Sequence, residues 1–233
     1  MPQTPLGFEY EFVFPDKRKK TFSIRLDPHT LGLMAPSGKE LPAWTRLDCC
    51  QCPNCPLTIK EHPFCPVAQN LFPVIEAFSC DISYHEVSVT IRTEPRDYQK
   101  TVPLQSALRS LFGIYMATSG CPVLDKLRPL VFTHLPFATT KETAYRAISM
   151  YVMAQFFIQR RGGKPDWELK DLEQIYKEVE IVNQAFHKRL SSTKIQDATL
   201  NAICSLNCYA QFTGMALSFD QLKELEALFS AYF

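Results

Sequence analysis

The sequence predicts an α+β fold, in which a small antiparallel sheet packs against a layer of five to six helices. Two observations support this prediction. Alternating apolar and polar residues, typical of half-buried strands, occur in the N-terminal part of the chain. Seven of the 17 prolines fall between Pro36 and Pro73 and none follows Pro165, so helix breakers and helical periodicity lie in opposite halves. We expect one domain, residues 1–233, with the sheet and a cysteine-rich loop in 1–101 and the helices in 102–233.

The strands are predicted from period-two alternation. Residues 8–14 and 21–27 alternate on either side of a basic stretch and indicate an antiparallel hairpin with one buried face. Residues 31–34 predict a short third strand. Residues 84–92 alternate in the same way, and we expect them to pair with the hairpin.

The helices are predicted from their start signals and from apolar residues three or four positions apart. Pro103 suits the first turn of a helix that stops near residue 120. Thr139 and Glu142 form a capping box that begins a second helix. A long amphipathic helix follows Pro165. The uncharged run 198–219 and a further capping box, Ser218 with Gln221, predict the last helices.

Composition and charge exclude several classes of function. The eight glycines assemble neither a dinucleotide-binding fingerprint nor a P-loop. A formal net charge of +1 gives no field that would attract nucleic acid. The N-terminal residues lack the basic and apolar regions of a secretory signal, which predicts a reducing cytoplasm for the nine cysteines. Residues 198–219 are long enough to span a bilayer, but polar residues interrupt them, so we expect no membrane span.

The segment between residues 48 and 66 carries the strongest chemical signal, because five of the nine cysteines lie within residues 49–65. Cys52 and Cys55 form a C-x-x-C half-site of the kind that binds Zn²⁺. We predict a structural zinc site that uses these two thiolates and a third from Cys65. The fourth ligand comes from His62, Cys49 or the distant Cys121.

Other interpretations of the same cysteines remain open at this point. An iron–sulfur cluster would also use four thiolates, with Cys80 or Cys121 as a further source. A redox C-x-x-C would open a helix after a buried strand, and here it lies in proline-rich sequence. A further interpretation is that these cysteines are reduced and bind no metal. Cys204 and Cys208, four positions apart in a predicted helix, fit a helix core better than a metal site.

Two further hypotheses concern function outside the cysteine segment. Cys121 and His134, with Glu142 as an orienting group, suggest a nucleophile pair, so an enzyme could combine these residues with the cysteine-rich loop. A helix C-terminal glycine followed by proline is the more ordinary explanation of the Gly120–Pro122 sequence, and we favour it. The apolar C-terminal helices could instead form the face of a homodimer.

Five segments together resemble a bacterial family of uncharacterised proteins, a domain of unknown function. The resemblance covers nearly the whole chain and implies a bacterial, cytoplasmic, single-domain protein. It brings no activity or cofactor. The segments are Trp44-Thr45-Arg46-Leu47, Cys52-Pro53-Asn54-Cys55-Pro56-Leu57, Thr118-Ser119-Gly120-Cys121-Pro122, His134-Leu135-Pro136-Phe137-Ala138 and Glu142-Thr143-Ala144-Tyr145-Arg146.

Overall fold

A computed structural model of the chain describes residues 5–34, 40–193, 197–215 and 219–233. Four strands and seven α-helices occur in these ranges, which confirms the predicted α+β class. Six of the helices follow the sheet, as predicted. In chain order the elements are β1 (Leu6–Val13), β2 (Lys19–Leu26), α1 (Pro66–Ala77), β3 (Glu86–Arg92), β4 (Asp97–Pro103), α2 (Leu104–Ala117), α3 (Pro129–Phe132), α4 (Thr140–Arg160), α5 (Lys170–Ser191), α6 (Asp197–Met215) and α7 (Phe219–Glu226).

The sheet is antiparallel throughout, with the strand order β2-β1-β3-β4. In the central strand, Tyr10 lies opposite Phe22 on β2 and Ile91 on β3, so the predicted pairing of residues 84–92 with the hairpin is confirmed. The side chains of Tyr10 and Phe12 are fully buried on one face. That face supports the helical layer.

The predicted strand at residues 31–34 is wrong. The chain turns back after β2, with the Leu31 N–H donating to the Asp27 carbonyl oxygen, and Leu31 adopts a left-handed conformation (φ 56°). Because of this turn only one residue, Leu33, meets the edge of β2 in an isolated bridge with Leu26.

Two elements lie where no pattern predicted them. Helix α1 occupies part of the proline-rich region that we predicted to be a loop. Pro66 is compatible with the helix because it stands in the first turn, and Pro73 is tolerated inside it because a buried apolar face holds the helix against α2. Strand β4 is mostly exposed and polar, as an edge strand can be, so it lacks clear alternation.

The remaining helix signals agree with the structure where it describes them. The Thr139 hydroxyl accepts from the Glu142 N–H, and the Glu142 carboxylate accepts from the Thr139 N–H, so the predicted capping box begins α4. The second predicted box falls on Ser218 and Gln221, which lie outside the residues described in full. Helix α6 packs against α2, α4 and α5. In the described ranges no helix combines the length and apolarity needed to cross a membrane.

Candidate functional site

Four cysteines from three separate segments approach one another beside the start of α1 and one face of α5. Cys52 and Cys55 lie in a tight turn, in which the Cys55 N–H donates to the Cys52 carbonyl oxygen at 3.0 Å. Cys65 is the N-cap residue of α1. Cys121 follows α2 directly after Gly120, whose φ of +85° reverses the chain there.

These four side chains line one small cavity of about 20 Å³. Its other walls are mostly apolar side chains from the cysteine-rich segment, the loop after Cys121 and α5. The Asn54 side chain donates to the Glu178 carbonyl oxygen at 3.1 Å, which fastens the Cys52–Cys55 turn to α5. A space of this size admits one water molecule or one ion.

Burial in this apolar setting, together with the neighbouring Cys65, Cys121 and Cys55 thiols, raises the pKa of Cys52 to about 12. Burial also raises the pKa of Cys121, although the backbone N–H groups of Leu124 and Val123, which donate to its sulfur, act in the opposite direction. In the described ranges no group of three or more His, Cys, Asp or Glu side chains is arranged so that it could hold a metal ion. The four thiols therefore surround the cavity without forming a coordination shell.

A buried cation lies at the wall of the same cavity. The Arg189 side chain is 1% exposed, and its guanidinium donates to the carbonyl oxygens of Trp44 (2.8 Å), Arg46 and Leu47 (3.3 Å). These acceptors are neutral, and the Asp48 carboxylate, whose pKa the charge of Arg189 helps to lower, is hydrogen-bonded by Arg46 instead. The charge of Arg189 lowers the pKa of Cys52, against the larger effect of burial.

Comparison with known proteins agrees with the resemblance seen in the sequence. Residues 8–230 match a family described as a domain of unknown function, DUF6901. The chain belongs to this family. No curated protein and no solved structure matches it.

The structure separates the predicted metal ligands of the DUF6901 chain into two sets. Cys52, Cys55, Cys65 and Cys121 line the cavity, whereas His62 is exposed and neither it nor Cys49 belongs to the lining. A sequence signal distinguishes the lining cysteines from the others. Each of the four lining cysteines is followed by proline, and none of the other five is.

The other cysteines do not take part. Cys80, Cys204 and Cys208 are exposed, so the prediction that the last two lie in a helix core is wrong. The reason is that α6 turns its Cys204 and Cys208 side away from α2 and α5. The sequence of residues 198–219 did not predict the exposure of these two cysteines, because apolar residues occur on several faces of α6.

His134 is not positioned to form a nucleophile pair with Cys121. Its Nε2 is 2.7 Å from the Tyr10 hydroxyl and 3.5 Å from the Ser110 hydroxyl, and burial lowers its pKa to about 3. The Glu142 carboxylate is exposed and occupied by its capping box. The predicted arrangement of Cys121, His134 and Glu142 is therefore wrong, because each side chain has other partners.

Proposed function

We propose that this protein binds one structural Zn²⁺ ion through the thiolates of Cys52, Cys55, Cys65 and Cys121. The observation that carries the proposal is that four Cys-Pro cysteines, up to 69 positions apart in the sequence, line one cavity. Four thiolates are a usual ligand set for structural zinc, and such sites leave no position open for substrate.

The ion would draw the four sulfurs inward from their present positions. Zn–S bonds are about 2.3 Å long, so the side chains rotate toward the centre on binding. Binding of zinc displaces the thiol protons, which overcomes the raised pKa values that burial imposes. The Val123 and Leu124 N–H groups then donate to a thiolate, and such charge-assisted hydrogen bonds are the stronger kind.

Charge balance also supports the proposal. Zn²⁺ with four thiolates carries a net charge of −2, and a buried charge of this kind needs a nearby cation. Arg189, which lines the cavity and has only carbonyl partners, supplies one. An iron–sulfur cluster has the same ligand set, but its four irons and four sulfides need several times the room of one ion. The cavity of about 20 Å³ therefore favours zinc.

The role of such an ion would be to fasten the cysteine-rich segment to the end of α2. Apart from the 3-10 turn Ala43–Thr45, residues 40–65 contain no helix or strand, and most of their backbone hydrogen bonds close short turns. Ligation couples the free energy of metal binding to folding of this segment. Thiolate ligands must stay reduced, so we propose a reducing compartment such as the cytoplasm.

Elemental analysis of the purified protein tests this function. We expect about one zinc per chain, lost in the Cys121→Ser variant and retained in the matched control Cys208→Ser, whose cysteine is exposed. Less than about 0.2 equivalents of any transition metal, with nine freely titratable thiols, would refute the proposal. If the purified protein is brown and contains iron and acid-labile sulfide, the same four ligands hold an iron–sulfur cluster instead of zinc.

A second property, self-association, is favoured by exposed aromatic side chains. Phe156 and Phe157 on α4 are about half exposed, and Tyr145 on the same helix stacks on Phe229 of the C-terminal segment at 6.4 Å between ring centroids. We infer that this surface pairs with a second copy of the chain. Light scattering should then show a dimer, which Phe157→Glu abolishes and Phe132→Glu, at another exposed site, does not. A wild-type monomer at all concentrations would contradict this.

A further inference from the structure

A second and larger cavity, of about 190 Å³, lies among α2, α4, α5, α6 and the segment from residue 124 to 138. Most of its lining is apolar and includes Met116, Leu127, Val131 and Leu206. An apolar cavity of about 150 Å³ in another protein binds benzene. This cavity therefore has room for one aromatic ring and a small substituent.

Two guanidinium groups line this otherwise apolar cavity. Arg146 on α4 donates through Nη2 to the carbonyl oxygens of Leu130 (2.7 Å) and Thr133 (2.8 Å), while its buried Nε has no partner in the described ranges. Arg109 on α2 donates through Nη1 to the Ser205 hydroxyl at 3.2 Å, and its guanidinium lies 3.9 Å from the centre of the Tyr209 ring.

Neither cation is neutralised by a carboxylate among the described residues. The carboxylate whose charge affects Arg146 belongs to Glu142, one turn earlier on α4, and it accepts hydrogen bonds from the Thr139 N–H and hydroxyl. Burial lowers the pKa of both arginines, which shows that the surroundings oppose their charge. Placing two cations beside an apolar cavity is unfavourable unless an anion compensates them.

The other polar groups of the cavity are neutral. His134 has its Nε2 beside Tyr10 and Ser110, and burial keeps its ring uncharged near neutral pH. Asn183 on α5 is buried and faces the same space. The site thus offers positive charge at one part of its wall and mostly apolar contacts elsewhere.

We infer that this cavity binds a monocarboxylate whose apolar body is about the size of one aromatic ring. The carboxylate would pair with Arg146, whose Nε–H is available, and Arg109 would add positive charge, while the ring fills the space between α2 and α6. The Arg146 Nη2 already donates to two carbonyl oxygens, so the carboxylate would accept a charge-assisted hydrogen bond from the Nε–H. This inference does not depend on the metal site, because the two cavities share no lining residue.

Calorimetric titration of the full chain with phenylacetate tests the inference, with 2-phenylethanol as a neutral ligand of nearly the same shape. We expect phenylacetate to bind at least about tenfold more tightly, a difference of about 1.4 kcal/mol. Arg146→Gln should remove that preference. Arg160→Gln, at the exposed end of the same helix, should leave it unchanged.

A substitution that fills the larger cavity tests whether phenylacetate binds there. Gly113 on α2 lines the cavity, and a Cβ built there meets no atom within 4 Å, so Gly113→Leu fills the space without a backbone clash. It should abolish phenylacetate binding while the helical circular dichroism spectrum is kept. The inference fails if phenylacetate does not bind the wild type at millimolar concentration, or if the acid and the alcohol bind equally well. It also fails if a folded Gly113→Leu protein still binds phenylacetate.

Discussion

At the scale of single residues, the unusual features are buried cations. Arg189 is almost fully buried, and Lys20 forms an ion pair with Asp81, itself 5% exposed, while lying 4.5 Å from the centre of the Phe78 ring. Lys20 has its counter-charge. Arg189 has three carbonyl oxygens instead, so its charge is available to the thiol cavity.

Replacing Arg189 by methionine should destabilise the protein by about 3 kcal/mol, because removing one partner of a buried network leaves the carbonyl oxygens of Trp44, Arg46 and Leu47 without donors. Denaturant unfolding measures this change. Lys188→Met, at the exposed neighbouring position, is the control and should change little. If both substitutions changed the free energy of unfolding equally, the buried hydrogen bonds of Arg189 would contribute no stability of their own.

His134 should make folding stability depend on pH. Burial, and to a lesser extent the charge of Arg146, lower its pKa to about 3, whereas an unfolded histidine titrates near 6.5. The unfolded chain therefore binds more protons between these values. The stabilising contribution is complete above pH 6.5 and is lost progressively as the pH falls toward 3.

The measurement is the free energy of unfolding between pH 6.5 and 4. His134→Gln should remove up to about 1.4 kcal/mol per pH unit from the wild-type slope. His29→Gln, at an exposed position, is the control for replacing an imidazole by an amide. An unaltered slope in His134→Gln would mean that this imidazole is already protonated in the folded protein.

At the scale of elements, α2 is the helix on which both cavities depend. It packs against α1, the sheet and α6, and its C-terminus leads through Gly120 into Cys121. Gly113 lies in its middle, where glycine is less favourable than alanine by about 1 kcal/mol. The larger cavity exists partly because this position carries no side chain.

Gly113→Ala should stabilise the protein by about 0.5–1 kcal/mol, because the added methyl group meets no atom within 4 Å and alanine favours the helix. Gly120→Ala, just after the end of the same helix, is the matched comparison. It should destabilise by about 1–2 kcal/mol, because its φ of +85° disfavours any side chain. Thermal unfolding compares the two. A loss of stability in Gly113→Ala would show that the cavity cannot accept a methyl group.

At the scale of the whole molecule, the contacts join the sheet part and the helical part through several elements. Ser83, just before β3, donates through its N–H and its hydroxyl to the Asp197 carboxylate at the start of α6. The Tyr10 hydroxyl reaches Ser110 on α2 and His134 beyond it. These bonds tie residues more than 90 positions apart into one body.

The two parts should therefore unfold together. We expect a single calorimetric transition with equal calorimetric and van't Hoff enthalpies, because neither part keeps its core when α2 and α6 separate from the sheet. Differential scanning calorimetry checks this. Two resolved transitions, one assigned to residues 1–101 and the other to 102–233, would contradict the prediction of one domain.

The sequence by itself determined the elements whose signal is local. Period-two alternation located three of the four described strands, and the Thr139–Glu142 box located the start of α4, because burial of one face and capping of a helix end involve residues close together in the chain. The Cys52–Cys55 spacing identified half of the candidate metal site for the same reason.

Only the tertiary structure decided the features that depend on distant contacts. Helix α1 forms among prolines because its apolar face is buried, and β4 pairs with β3 despite a polar sequence. The presence of Cys121, and not of His62 or Cys49, in the lining of the thiol cavity depends on the chain reversal at Gly120. The larger cavity depends on the packing of α2, α4, α5 and α6. Such contacts stabilise two segments that are distant in the sequence, so the sequence of either segment alone does not predict them.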